Sequence, residues 1–172
     1  FLLDAYALIY RAYYAFIKAP RIDSQGRNTS AIFGFVLMLE DLLGKEQPDE
    51  LAVVFDPAGG TFRHREYPDY KAQREETPEG IRIAVPIIPA VEVADYEADD
   101  VIGTLSHRAA SAGREVYMVT PDKDYGQLVT EHVRMYRPMQ GGGYEVWGEK
   151  EILEKFGLSS TRQVIDYLAL LG

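Results

Sequence analysis

Apolar residues are grouped along the chain in short blocks, and several blocks end on an acid. Phe1-Leu2-Leu3 runs into Asp4, and Leu51-Ala52-Val53-Val54-Phe55 runs into Asp56. Both blocks are continuous rather than alternating, the pattern of a strand buried on both faces. Between Asn28 and Lys45 the period becomes helical. Ile32, Phe33, Val36, Leu39 and Leu43 recur at three- and four-residue steps and are expected to face inward. Thr29 or Ser30 can cap that helix, and Pro48 marks its exit. Residues 57–80 are rich in Gly, Pro and charge and present no core face. Ala90 to Val93 reads as a third strand. Glu97 to Ala112 reads as a helix with Val101, Ile102, Leu105 and Ala109 inward, ended by Gly113. Val116 to Val119 is another strand, with Asp122 just beyond it. Val133 to Tyr136 and Tyr144 to Trp147 flank Gly141-Gly142-Gly143 and predict a hairpin. Helices follow near Glu149 to Phe156 and Thr161 to Leu171.

Strands that alternate with helices predict an α/β fold with a mostly parallel central sheet and helices on both faces. Ligands of such sheets bind beyond the carboxyl ends of the strands. Asp4, Asp56 and Asp122 each stand at such an end, so acids far apart in sequence are expected to meet on one rim.

Composition narrows the class. At 172 residues the chain fits one domain, and 47% hydrophobic with 26% charged residues is ordinary for a globular protein. No apolar run reaches about 18 residues, so no membrane span is expected. No signal-peptide pattern is present. The absence of cysteine excludes disulfides and thiolate metal sites and is compatible with a cytoplasmic location. Phe1 stands where a gene product would carry Met, so the chain is expected to continue upstream. The net charge of −9 opposes simple electrostatic binding of DNA. Seven of those charges, however, sit at Asp4, Asp56, Glu97, Asp99, Asp100, Asp122 and Asp124, and the rest of the chain carries only −2.

Carboxylates that converge repel one another unless a cation compensates, and hard oxygen ligands suit Mg2+ or Mn2+. Two such ions about 4 Å apart can activate a water and stabilise the leaving oxygen of a phosphodiester. That chemistry needs no nucleophilic Ser or Cys and no His base, and His64, His107 and His132 have no ligand spacing. Taken singly, each acid has a plainer account. An Asp after a strand is often a turn or cap residue. Glu97, Asp99 and Asp100 open a helix, where the macrodipole favours acids. The metal reading rests on all the groups falling at rim positions of one α/β pattern. Tyr6, Tyr10 and Tyr14, four residues apart, could stack on a base or simply pack. Arg11, Arg21 and Arg27 could meet phosphates or serve as ordinary surface residues. No G-x-G-x-x-G or P-loop motif supports a nucleotide-binding role.

A set of ordered motifs carries a resemblance. They are Asp4 with Tyr10-Arg11-Ala12, Asn28-Thr29-Ser30-Ala31-Ile32-Phe33-Gly34-Phe35, Ala52-Val53-Val54-Phe55-Asp56, Thr61-Phe62-Arg63-His64 and Tyr70-Lys71-Ala72-Gln73-Arg74. Tyr96-Glu97-Ala98-Asp99-Asp100-Val101-Ile102-Gly103-Thr104-Leu105, Thr120-Pro121-Asp122-Lys123-Asp124 and Gln163-Val164-Ile165-Asp166-Tyr167-Leu168-Ala169-Leu170 complete it. Together they resemble the 5′-nuclease domain that begins bacterial DNA polymerase I, within the flap-endonuclease family of PIN-like, resolvase-like fold. The resemblance implies a first metal shell of Asp4, Asp56, Glu97, Asp99 and Asp100, extended by Asp122 and Asp124, and two Mg2+ or Mn2+ ions. It implies that residues 57–82 form an arch whose Lys71 and Arg74 contact the scissile phosphate, with Arg11 and Arg63 as further DNA contacts. The implied activity is 5′→3′ exonuclease and 5′-flap endonuclease on DNA with a flap, nick or free 5′ end, performed by a monomer in replication and repair. A PIN-like ribonuclease and a non-catalytic DNA-binding module are the alternatives.

Two departures from the family stand out. The chain ends at Leu170-Leu171-Gly172, where the family continues into further acidic ligands and a helix–hairpin–helix element, so the second metal site is expected to be incomplete. The passage from Ile87 to Pro89 is also abrupt, because the family places roughly two to three more helical turns there. A parallel crossover needs about a dozen or more residues, and residues are expected to be missing at this point.

Overall fold

A computed structural model of the chain describes residues 1–72, 76–88 and 90–171. In chain order the elements are β1 (Leu2–Asp4), α1 (Ala5–Ala15), α2 (Ser30–Glu46), β2 (Ala52–Phe55), α3 (Phe62–Glu66), α4 (Glu79–Ala84), β3 (Val91–Glu92), α5 (Ala98–Ser111), β4 (Val116–Val119), β5 (Val133–Pro138), β6 (Tyr144–Trp147), α6 (Glu149–Phe156) and α7 (Gln163–Leu171). Turns of 3₁₀ helix follow α4 at Val85–Ile87 and β4 at Lys123–Leu128. The chain forms two compact units, one of Phe1–Asp4 with Asp99–Gly172 and one of Ala5–Ala98.

In the first unit the strands lie in the order β1-β4-β5-β6. β1, β4 and β5 are parallel, and β6 returns antiparallel to β5. The expected hairpin is therefore present, and Gly141, Gly142 and Gly143 all take positive φ in its turn. Leu3 pairs with Val119, and Val119 pairs with Tyr136. The next row, at the carboxyl ends of β1 and β4, therefore holds Asp4, Thr120 and Arg137. Met118, Val119, Met135, Ile102, Ile152 and Val164 form the core behind that rim. On α5, Val101 and Ile102 are buried as expected. Leu105 and Ala109 are only half-buried, while Ser106 takes an inward position.

In the second unit β2 and β3 pair in parallel, Val54 with Val91 and Phe55 with Glu92. The third strand is shorter than its expected span. The segment from 57 to 80, which offers no core face in sequence, contains α3 and the start of α4, both short. Leu8, Ile9 and Ala12 of α1 are buried, as are Ala31, Phe35 and Leu42 of α2 and Ile81 and Ala84 of α4.

The inward face of α2 differs from the expected one. Phe33, Val36 and Leu43 are exposed, Ile32 and Leu39 are half-buried, and Ala31, Phe35 and Leu42 point in. The helix is apolar on most sides, so its period does not fix its phase. Gly34 does, because a Cβ built there would lie 2.8 Å from the Ala12 Cβ, and α1 rests on that bare stripe. The expected caps differ too. Neither Thr29 nor Ser30 caps the helix by its side chain; Asn28 Oδ1 accepts from the Ser30 N–H, and the Ser30 hydroxyl accepts from Arg21 N–H instead.

Candidate metal centre and active site

In the first unit the sheet register brings Asp4 and Thr120 side by side. Asp4 is buried, and its Oδ2 accepts from the Thr120 hydroxyl at 3.0 Å. The same hydroxyl oxygen accepts from Asp122 N–H at 3.1 Å. Asp122 Oδ1 in turn accepts from Asp124 N–H at 3.0 Å and caps the 3₁₀ turn. That turn drives Tyr125 inward. Its phenol, almost fully buried, is hydrogen-bonded to Asp4. Burial pushes the phenol far above its ordinary ionisation range, and the negative charges of Asp4, Asp99 and Asp122 push it further. The phenol therefore stays neutral beside Asp4. Asp124 is raised by burial and by the Asp122 charge, against a smaller pull from Lys123. Asp99 and Asp100 form the first turn of α5, where Asp99 Oδ1 accepts from Asp100 N–H.

In the second unit, Asp56 follows β2 and its Oδ1 accepts from Ala98 N–H at 2.7 Å. This is the end-of-helix role that an isolated Asp so often plays. Beside it the Tyr6 phenol is raised by burial, then by the charge of Asp56. Glu97 is only 5% exposed. Lys71 Nζ donates to its Oε1 at 2.8 Å, the Tyr70 hydroxyl to its Oε2 at 2.9 Å, and Arg63 lies 3.6 Å away. Burial alone works to raise this carboxyl. The hydrogen bonds from Lys71 and Tyr70, with the charges of Lys71 and Arg63, outweigh it and hold Glu97 below the usual range.

Lys71 and Arg63 are therefore brought to Glu97, and Arg11 is half-buried on α1. Arg74 lies outside the described residues, and so does Pro89, at which the expected break after Ile87 falls. Tyr6 packs edge-on against Phe55, and the Tyr10 hydroxyl meets Thr77, while Tyr14 is half exposed. Arg21 sits over Phe16 and Phe33, and Arg27 pairs with Asp23. Sequence reasoning did not single out Thr120, Tyr125 or the hydroxyl of Tyr70. Tyr125 gives no signal in a polar stretch, and Thr120 stands out only once its register with Asp4 is known.

The donor set suits a hard divalent cation, since it is made of carboxylates with hydroxyl partners. Each carboxylate can accept about four hydrogen bonds or metal contacts. As they stand, however, no group of three His, Cys, Asp or Glu among the described residues is arranged to hold an ion.

An α/β chain with parallel strands whose ends carry carboxylates, Asp4 buried among them, defines a broad class. The comparisons narrow it. Residues 1–157 match the family described as 5′-3′ exonuclease, N-terminal resolvase-like domain, and the chain belongs to that family. It is 38% identical over 181 residues to a 5′-3′ exonuclease of Aquifex aeolicus, covering 100% of this chain and 61% of that protein. It is 40% identical over 181 residues to a DNA polymerase I of Pseudomonas aeruginosa, covering 99% of this chain and 19% of the relative. The chain thus spans less than two thirds of the length of either. Among solved structures it is similar in fold to a bacteriophage T5 flap endonuclease crystallised as a pseudo-enzyme-product complex with DNA and metal ions. That match has a TM-score of 0.72 at 18% identity and covers 99% of this chain and 65% of that one. The catalytic core of Rad2 in complex with DNA substrate matches with a TM-score of 0.55 at 21% identity, over 99% and 54% of the two chains. No helix among the described residues is long and apolar enough to cross a membrane.

Proposed function

We infer that the chain is the catalytic core of a divalent-metal-dependent 5′→3′ exonuclease and 5′-flap endonuclease acting on DNA. The observation that carries this reading is the Asp4 carboxylate, buried at the end of β1 and bound by the same Thr120 hydroxyl that accepts from the Asp122 N–H, in a family of 5′-3′ exonucleases. Asp4, Asp99, Asp100, Asp122 and Asp124 in one unit, and Asp56 and Glu97 in the other, are the residues assigned to hold Mg2+ or Mn2+. Bound divalent ions would supply activation of water and stabilisation of the leaving oxygen. Thr120 and Tyr125 hold the Asp4 carboxylate in place by donating to it. Asp56 holds the Ala98 N–H by accepting from it. Lys71 and Arg74 of the 57–82 segment are assigned to the scissile phosphate, and Arg63 and Arg11 to the DNA backbone. For Lys71 this requires leaving Glu97, and an anionic phosphate is the group that could compete for its charge.

The test uses three substrates: a 5′-flap DNA, a nicked duplex and a matched single-stranded RNA. Each is incubated with Mg2+ or Mn2+ and with a chelator, for the wild type and the Asp99→Ala, Asp100→Ala double variant. Cleavage of flap and nick by the wild type, lost with the chelator and in the double variant, is the expected result. Preference for RNA would make the protein a PIN-like ribonuclease. Binding without turnover by both proteins would make it a non-catalytic module.

A further inference from the structure

The turn that carries Asp122 and Asp124 is tied to the sheet by a second side chain, Arg137. This residue occupies the row of Asp4 and Thr120, one position past the Val119–Tyr136 pair. Its Nη2 donates to the Pro121 carbonyl at 2.9 Å, the peptide that leads directly into Asp122. Its guanidinium carbon lies 3.8 Å from the centroid of the Trp147 ring. The register explains this contact. Met135 pairs with Trp147, and Arg137, two residues on, shares their face as a diagonal neighbour. Trp147 is buried, Lys155 of α6 approaches the same ring at 5.5 Å, and Glu145 lies 3.8 Å from Arg137 Nη1. A planar cation stacked on an indole keeps its orientation in a way that a lysine ammonium does not. From the other side the turn is held by Thr120 and by Asp122 itself, through the amides of Asp122 and Asp124. The direction of both carboxylates therefore follows the backbone path between Thr120 and Asp124, and Arg137 holds one carbonyl of that path.

We propose that Arg137 is a positioning residue for the Asp122 and Asp124 pair: stacked on Trp147, it fixes the Pro121 peptide and with it the aim of both carboxylates toward a bound cation. This rests on the metal-dependent nuclease reading above. In this role Arg137 touches neither DNA nor the reacting atoms.

The test is made in the full-length protein, with two readouts. The first is Mn2+ binding without DNA, followed by electron paramagnetic resonance. The second is flap cleavage resolved into kcat and KM for DNA. Partners that orient metal ligands typically contribute about tenfold or more in metal affinity. Arg137→Met is expected to raise the Mn2+ concentration for half-saturation about tenfold, with KM for DNA unchanged and kcat restored by excess Mn2+. Arg137→Lys, which keeps the charge and a donor but not the stacked plane, should recover part of the loss. Trp147→Leu should reproduce the loss with Arg137 intact, and Trp147→Phe, which keeps a ring, should bind close to wild type. Wild-type Mn2+ binding in both Arg137→Met and Trp147→Leu would overturn the proposal. So would a rise in KM for DNA with Mn2+ binding unchanged, since it would mark Arg137 as a DNA contact. A wild-type protein that neither binds Mn2+ nor cuts flaps would overturn the nuclease reading itself, an outcome distinct from normal activity in the variants.

Discussion

At Glu97 a buried carboxylate keeps its charge because two neighbours donate to its two oxygens. Its carboxyl is held below the ordinary value of 4.5, so it stabilises the fold above that pH and loses this contribution as pH falls through its folded-state value. Lys71→Met removes the charged donor and is expected to cost about 2 kcal/mol at pH 7. The gap between wild type and variant should close in acid, below about pH 4.5, and denaturation curves across that range would show it. Tyr125→Phe keeps the ring and removes the hydroxyl from Asp4. It is expected to destabilise by about 1 kcal/mol, measured in urea, because Thr120 still donates to the carboxylate. The strand-end positions of Asp4 and Asp56 were legible because each ends a continuous apolar block. Tyr125 and Arg137 were not, because their roles depend on which strands lie side by side, and a sequence does not print strand order.

Among the elements, the continuous strand blocks, the hairpin about three glycines and α5 to α7 could be read from period and punctuation alone. The phase of α2 could not. A helix with apolar residues on nearly every side offers several faces, and the choice was made by where a neighbouring helix could approach most closely. Gly34 marks that place. Gly34→Val would set a branched side chain against Ala12, with the built Cβ already at 2.8 Å. Overpacking of this kind costs about 2 kcal/mol, more than the roughly 0.5–1 kcal/mol recovered by removing glycine from a helix interior. Chemical denaturation should therefore show a less stable protein, whereas Val36→Thr on the exposed side should change little. The segment around α3 had no readable face because that helix is short, buries no residue and is tied by polar contacts such as Arg65 with Asp95, while α4 buries only Gly80, Ile81 and Ala84.

For the molecule as a whole, the net charge of −9 is concentrated at positions assigned to cations. A cation that binds only the folded protein stabilises it by mass action, by about 2.7 kcal/mol at one hundred times its dissociation constant. Ca2+ or Mg2+ should thus raise the melting temperature of the wild type at neutral pH and leave the Asp99→Ala, Asp100→Ala variant nearly unmoved. The relatives align over 181 positions, more than the 172 residues of this chain, which agrees with a family that carries extra residues. The fold class was legible throughout, because alternating strand and helix blocks are a global pattern. The division into two units was not, since it depends on contact density rather than on any composition shift. The chain has a single tryptophan, and Trp147 belongs wholly to the unit that contains β4 to β6. Fluorescence excited at the red edge, where tyrosine does not absorb, therefore follows the melting of that unit alone, while circular dichroism follows both. If the two traces diverge on heating, the protein unfolds in stages, and the carboxylates of one unit can be lost while those of the other persist.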